Sequence, residues 1–168
     1  VILARTILRA ARLCAAIHSM WIREVPIERA CSASMAIVLA SDDHASPELL
    51  AAIAYGESRF VVGAVNRRTK VCGPMQVKAS RATCRRIVAG DELLGYRVAV
   101  EKLNQARAWC IRRRTPGSLC TLAVYRSGPR GARDRLYRGP RAVIARRDAF
   151  RRAVVRMQPR PELEGGGA

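Results

Sequence analysis

The stretch Ser46-Pro47-Glu48-Leu49-Leu50-Ala51-Ala52-Ile53-Ala54-Tyr55-Gly56-Glu57-Ser58-Arg59-Phe60 decides how this chain is read. Ser46 is suited to cap a helix, because its hydroxyl can accept from a free amide of the first turn. Pro47 fits the first helical position, where no amide hydrogen is needed, and Glu48 suits the positive end of the helix dipole. The pattern predicts a helix ending near Glu57 and Ser58. Leu49, Ile53 and Glu57 recur at intervals of four, so a carboxyl group continues an apolar face. There it is partly desolvated and lies at the negative end of the dipole. Both effects disfavour the ionised form, which suits a group that must deliver a proton.

Outward from this helix, residues 2–22 read as a basic amphipathic helix. Leu3, Ile7, Cys14, Ile17 and Trp21 fall on one stripe and Arg5, Arg9 and Arg12 on another. The segment fits a peripheral helix packed on the domain, or a targeting or membrane-surface element. Arginines interrupt its apolar runs, which argues against a cleavable signal peptide. Pro26 opens a second helix through Ala40. Residues 60–77 lose helical period and read as an irregular or small β region. Helices follow over about 78–88 and from Asp91 to about Arg112. Thr115-Pro116-Gly117 is a turn, and Ser118 caps a short helix to Tyr125. Ser127-Gly128-Pro129 and Gly131 break it. Residues 141–157 form a basic amphipathic helix with Val143, Phe150, Val154 and Met157 inward. The expected organisation is an extension over 1–25, one mainly α domain over 26–157 and a disordered tail over 158–168.

The whole chain has 168 residues, which suits one compact domain. Hydrophobic residues make up 49%, but no run reaches the roughly 18 apolar residues of a membrane span. Thirty-one basic residues against 13 acidic ones give a net charge of +18. Only Lys70, Lys78 and Lys102 are lysines, so arginine dominates a surface that will seek polyanions. Six cysteines with no Cys-x-x-Cys, and only His18 and His44, disfavour a zinc site. The even count favours disulfides and an oxidising compartment. Sequential pairing is one of 15 connectivities, and free buried thiols are the other reading.

Three short motifs carry a resemblance. Glu57-Ser58-Arg59-Phe60 is followed by Gly73-Pro74-Met75-Gln76 and then by Val124-Tyr125-Arg126-Ser127-Gly128. In this order the chain resembles the soluble lytic transglycosylase domain, in the goose-type branch of the lysozyme-like superfamily. That family carries Glu-Ser-x-Phe, Gly-Leu-Met-Gln and Ala-Tyr-Asn-x-Gly. The likeness covers about residues 26–157, with departures at Pro74, Val124 and Arg126. It implies a mainly α (α+β) fold: a lysozyme-like two-lobed domain with a small β or irregular region and a central cleft. It implies Glu57 as the catalytic acid. Ser58, Met75, Gln76 and Tyr125 would be substrate-binding residues, with Ser58 or Tyr125 supporting the acid. Phe60, Gly73 and Gly128 would be structural. No metal or cofactor is implied. The implied substrate is the glycan strand of peptidoglycan, in the periplasm or outside the cell; a phage lysin also fits.

No Asp or Glu lies between Glu57 and Asp91, where a second carboxylate for ordinary glycoside hydrolysis would be expected. A single-acid reaction fits better: the resemblance implies protonation of the leaving oxygen and closure of a 1,6-anhydro ring. Asp91, Glu92 or Glu101 folding back into the cleft would restore plain hydrolysis, as in a muramidase. Residues 126–160 hold 12 arginines and two aspartates. They suit anionic envelope polymers or a membrane surface. Only Tyr137 and Phe150 interleave with them as aromatics, which disfavours nucleic acid. A non-catalytic basic binding protein on a lysozyme-like scaffold is the reading from another class.

Overall fold

The computed structural model describes residues 2–131 and 138–157. The expected tail over 158–168 and the arginine-flanked Tyr137 lie outside them. The described residues are mainly helical, with seven helices: α1 (Ile2–Met20), α2 (Ile27–Ala40), α3 (Pro47–Ser58), α4 (Arg81–Val88), α5 (Glu92–Arg112), α6 (Ser118–Gly131) and α7 (Arg138–Arg156). One antiparallel hairpin, β1 (Val65–Asn66) and β2 (Val71–Cys72), pairs Val65 with Cys72 and Asn66 with Val71.

Local chemistry sets most of the boundaries. The Ser46, Ser80 and Asp91 side chains accept from the amides of Leu49, Thr83 and Leu94, capping α3, α4 and α5. Several boundaries differ from expectation: α1 ends at Met20 rather than at residue 22, and α4 starts at Arg81, behind its Ser80 cap, rather than near 78. The range of α6 extends past Tyr125 to Gly131, but Gly128, at φ 69° and ψ 173°, is not helical and divides it into two helical pieces at the expected break. Such a conformation suits a residue without Cβ. α7 begins at Arg138, three residues early, because Pro140 falls in its first turn, where a missing amide hydrogen costs nothing.

α1 packs chiefly on α2, and Leu13, Cys14, Ala16, Ile17 and Val25 join the main core with α2, α3 and α5. The segment from Leu13 to Val25 therefore shares the core of the rest. The expected stripe holds only in part: Cys14 and Ile17 are buried, but Leu3 and Ile7 are 72% and 50% exposed. α1 has 19 residues against 14 in α2, so its first turns have less helix to lie against. Trp21, just past α1, stacks on Tyr55 with ring centroids 3.6 Å apart and planes at 11°. It meets Phe150 edge-on at 4.6 Å. Phe60 lies 6.3 Å from both Trp21 and Tyr55. The four rings join α1, α3 and α7.

Three disulfides, Cys14–Cys31, Cys72–Cys84 and Cys110–Cys120, follow the sequential pairing. They close loops with separations of 17, 12 and 10 residues. Loops of this size give about 3 kcal/mol each in the chain-entropy account. Such bonds imply folding in an oxidising compartment. No helix among the described residues is long and apolar enough to cross a membrane.

One acid lies inside the α2–α5 packing. Glu92 is 9% exposed, accepts a 2.7 Å hydrogen bond from Ser32 and has a second oxygen with no partner. Burial raises the pKa of its carboxyl, and the Ser32 hydrogen bond only partly opposes this. The native state then holds this proton more tightly than the unfolded chain. Stability contributed by Glu92 is full in acid and is lost as pH rises through its elevated native pKa. Urea unfolding of wild type and Glu92→Gln from about pH 4 to pH 8 checks this. The stability of Glu92→Gln relative to wild type should rise with pH and then level off; a constant difference contradicts it.

Candidate functional site

The end of α3 is set by an unusual turn. Arg59 and Phe60 both take left-handed backbone angles, with φ 56° and 62°. Such angles cost an aromatic residue free energy, so something must hold them. Phe60 is fully buried in the aromatic cluster, and Arg59 bonds the Tyr55 carbonyl at 2.6 Å and Glu24 at 2.8 Å. The reversal is tied to the next motif by Ser58. Its hydroxyl donates to the Pro74 carbonyl at 2.8 Å and accepts from the Val61 amide at 3.1 Å.

The Gly73–Gln76 segment needs its glycine. Gly73 has φ +77°, and a Cβ there would lie 2.5 Å from Ile87 Cγ2 of α4. Gly95 of α5 faces the same Ile87 methyl and the Pro74 ring, each 3.3 Å from the place of a Cβ. The Cys72–Cys84 disulfide joins β2 to α4 behind this packing. The Gln76 side-chain amide donates to the carbonyls of Gly73 at 2.9 Å and Ala64 at 3.3 Å, bracing the turn.

An open cleft of about 810 Å³ lies between these segments, one face of α5 and the end of α6. Glu57 reaches it from α3, and Met75, Gln76 and Val77 line it from the turn after the hairpin. α5 contributes Lys102, Gln105, Ala106, Trp109 and Arg112, whose spacing marks one helical face. Tyr125, Arg126, Ser127, Gly128 and Pro129 line it from the kinked end of α6, and Asn66, Thr69 and Val71 from the hairpin.

Four of the residues read from the motifs thus meet at one cleft: Glu57, Met75, Gln76 and Tyr125. Gly128 joins them through the kink. Ser58 lies outside the lining, its hydroxyl engaged with the backbone. Phe60 and Gly73 sit beneath, in the core and the turn. Tyr125 does not bond Glu57; its hydroxyl donates to the Met75 carbonyl at 3.0 Å. Burial, and then the charge of Glu57, push the Tyr125 hydroxyl's pKa well up, so it stays a donor at any physiological pH.

Among the described residues, Glu57 is the one carboxylate of the lining. Its side chain is 22% exposed, and its Oε1 lies 3.3 Å from Arg126 Nε. The other acids weighed from the sequence are engaged elsewhere. Asp91 caps α5 and pairs with Arg86 at 2.7 Å, Glu92 is buried against Ser32, and Glu101 accepts from Gln105 on its own helix. Among the described residues no three His, Cys, Asp or Glu side chains gather as metal ligands.

Trp109, Lys102, Arg112 and the Glu57–Arg126 pair escaped the sequence reading. Only the three- and four-residue spacing along α5 could have flagged its members, and that pattern does not say which face meets a cleft. No protein family, curated protein or solved structure matches the chain.

Gly73→Ala should destabilise the protein by about 2 kcal/mol or more in urea unfolding, through positive φ and collision with Ile87. Combined with Ile87→Ala, the two losses should sum to less than their separate values by about 1 kcal/mol. Strict additivity would place the cost in the backbone alone.

Proposed function

We propose that the chain is a peptidoglycan lytic transglycosylase on a lysozyme-like, two-lobed scaffold, cleaving the MurNAc–GlcNAc β-1,4 bond with Glu57. The observation that carries this is a cleft at whose wall the described residues place a single carboxylate, beside Met75, Gln76 and Tyr125. Two-carboxylate hydrolysis needs a second acid flanking the bond, and none of the described residues supplies one to the cleft. A single glutamate suffices when the sugar supplies its own nucleophile. Glu57 gives its proton to the glycosidic oxygen as the C1–O bond breaks. The resulting carboxylate then takes the proton of the C6 hydroxyl, whose oxygen closes on C1. The product is a 1,6-anhydro-MurNAc end, and the acid is restored without water, metal or cofactor.

The surroundings support the same reaction. Trp109 gives the cleft an aromatic surface suited to the apolar face of a sugar ring. Tyr125 holds the Met75 backbone at 3.0 Å, tying α6 to the turn that carries Met75 and Gln76 within the lining. Disulfides place folding in an oxidising compartment, which fits a periplasmic or extracellular enzyme. The exposed Arg141, Arg151, Arg152 and Arg156 of α7 fit anionic envelope polymers or a membrane surface.

Mass spectrometry of soluble fragments from purified peptidoglycan tests the proposal. Wild type should release anhydromuropeptides, and folded Glu57→Gln should be slower by roughly 100-fold or more, the scale of lost general-acid catalysis. Reducing-end products would replace the transglycosylase with a muramidase. No fragments from folded wild type would favour a non-catalytic basic binding protein.

A further inference from the structure

The cleft has a charge pattern that proton delivery alone does not require. Lys78, Lys102, Arg112 and Arg126 line it, with Glu57 as the only acid among the described residues. Lys102 and Arg112 stand on one face of α5, ten residues and therefore about 15 Å apart along the axis. Cations spread over that length match a chain with repeated negative groups better than one isolated anion.

Arg126 has a second peculiarity. Its Nε lies 3.3 Å from Glu57 Oε1, while its Nη1 fills the space that a Cβ on Gly139 of α7 would occupy. The guanidinium is thus seated between the catalytic candidate and a glycine notch, yet its side chain is 41% exposed to the cleft. The contact occupies one of the two oxygens through which Glu57 could present a proton. A free carboxylate on the substrate would compete with that oxygen for the same guanidinium.

Resting on the transglycosylase reading, we infer that the substrate glycan carries free carboxylates and that Arg126 is a specificity residue that exchanges Glu57 for one of them. Lys102 and Arg112 hold further carboxylates along the strand. A guanidinium binds such a group through directed, charge-assisted hydrogen bonds. Seating the substrate carboxylate releases Glu57 Oε1 toward the bond to be cut, so acidic strands are both bound and cut in preference to neutral ones. Two sources give the same chemistry: the lactyl group of strands stripped of peptide, and the carboxylates of stem peptides.

Binding to Glu57→Gln, the full chain, separates this inference from cleavage. Three probes serve: peptide-free glycan strands, the same strands with every lactyl carboxylate amidated, and strands bearing stem peptides. Glu57→Gln should bind peptide-free strands roughly tenfold or more tighter than amidated ones, with the gap closing as salt rises. Adding Arg126→Gln should remove most of that ratio, and Arg126→Lys should keep part of it. In otherwise wild-type protein, Arg126→Gln should lose the preference for acidic over amidated strands in kcat/KM. Tightest binding of peptide-free strands assigns the lactyl group; tight binding only of peptide-bearing strands assigns the stem peptide. Equal affinity for charged and amidated strands, with stem peptides giving no gain, overturns the inference even if wild type cleaves peptidoglycan. Carboxylate-selective binding without cleavage would keep the binding site and discard the enzyme.

Discussion

The stacked contact between Trp21 and Tyr55 is the joint on which the helices and the cleft depend. The core is built mostly of alanine and small aliphatic side chains, which pack helices closely but grip weakly. Aromatics are only 5% of the chain, and four of them meet in one cluster. That cluster buries Phe60, and burial of Phe60 holds the left-handed turn that follows Glu57. Without it, the strained pair Arg59–Phe60 would have little reason to stay, and the carboxyl group would lose its bearing on the cleft.

From this joint the structure builds outward through small, directional ties. Ser58 fastens the end of α3 to the Gly73–Gln76 turn, Tyr125 fastens α6 to the same turn at Met75, and Ile87 fits the notches left by Gly73 and Gly95. Three short motifs far apart in the chain therefore share one backbone segment. Arginines take part in this packing as well as in the surface charge. Arg126 and Arg146 occupy the spaces that side chains at Gly139 and Gly56 would fill, and Arg146 also lies 5.7 Å from the Tyr55 ring centroid. Some of the +18 charge is therefore built into the inner surface of α7 and α3.

Much of the helical order was legible because its signals are local. Ser46 and Asp91 act on amides within a few residues of themselves, and Pro26 fixes its own backbone at a helix start, so these signals can be read without knowing the fold. The break at Ser127-Gly128-Pro129 was also visible, and Gly128 interrupts the helical backbone there. What escaped depends on orientation between distant elements. Leu3 and Ile7 share a stripe with Ile17, but burial depends on how far the partner helix reaches. Ser58 looked like a group for a sugar or an acid. A hydroxyl carries no mark that tells a carbonyl partner from a ligand. The Glu57–Arg126 contact joins α3 to α6, and no spacing rule reaches across that separation. Glu57, Met75, Gln76 and Tyr125 could be gathered from motif order; the cations and Trp109 of α5 could not.

The disulfides have a consequence for how the chain reaches this state. Each cysteine is bonded to the next one along the sequence, so no bridge encloses another. As the polypeptide enters an oxidising compartment from its N-terminal side, Cys14 and Cys31 emerge before Cys72, and that second pair before Cys110. An oxidant that joins cysteines in their order of arrival makes only native bonds. Oxidative folding can then run vectorially, one local loop at a time, with no shuffling step to correct.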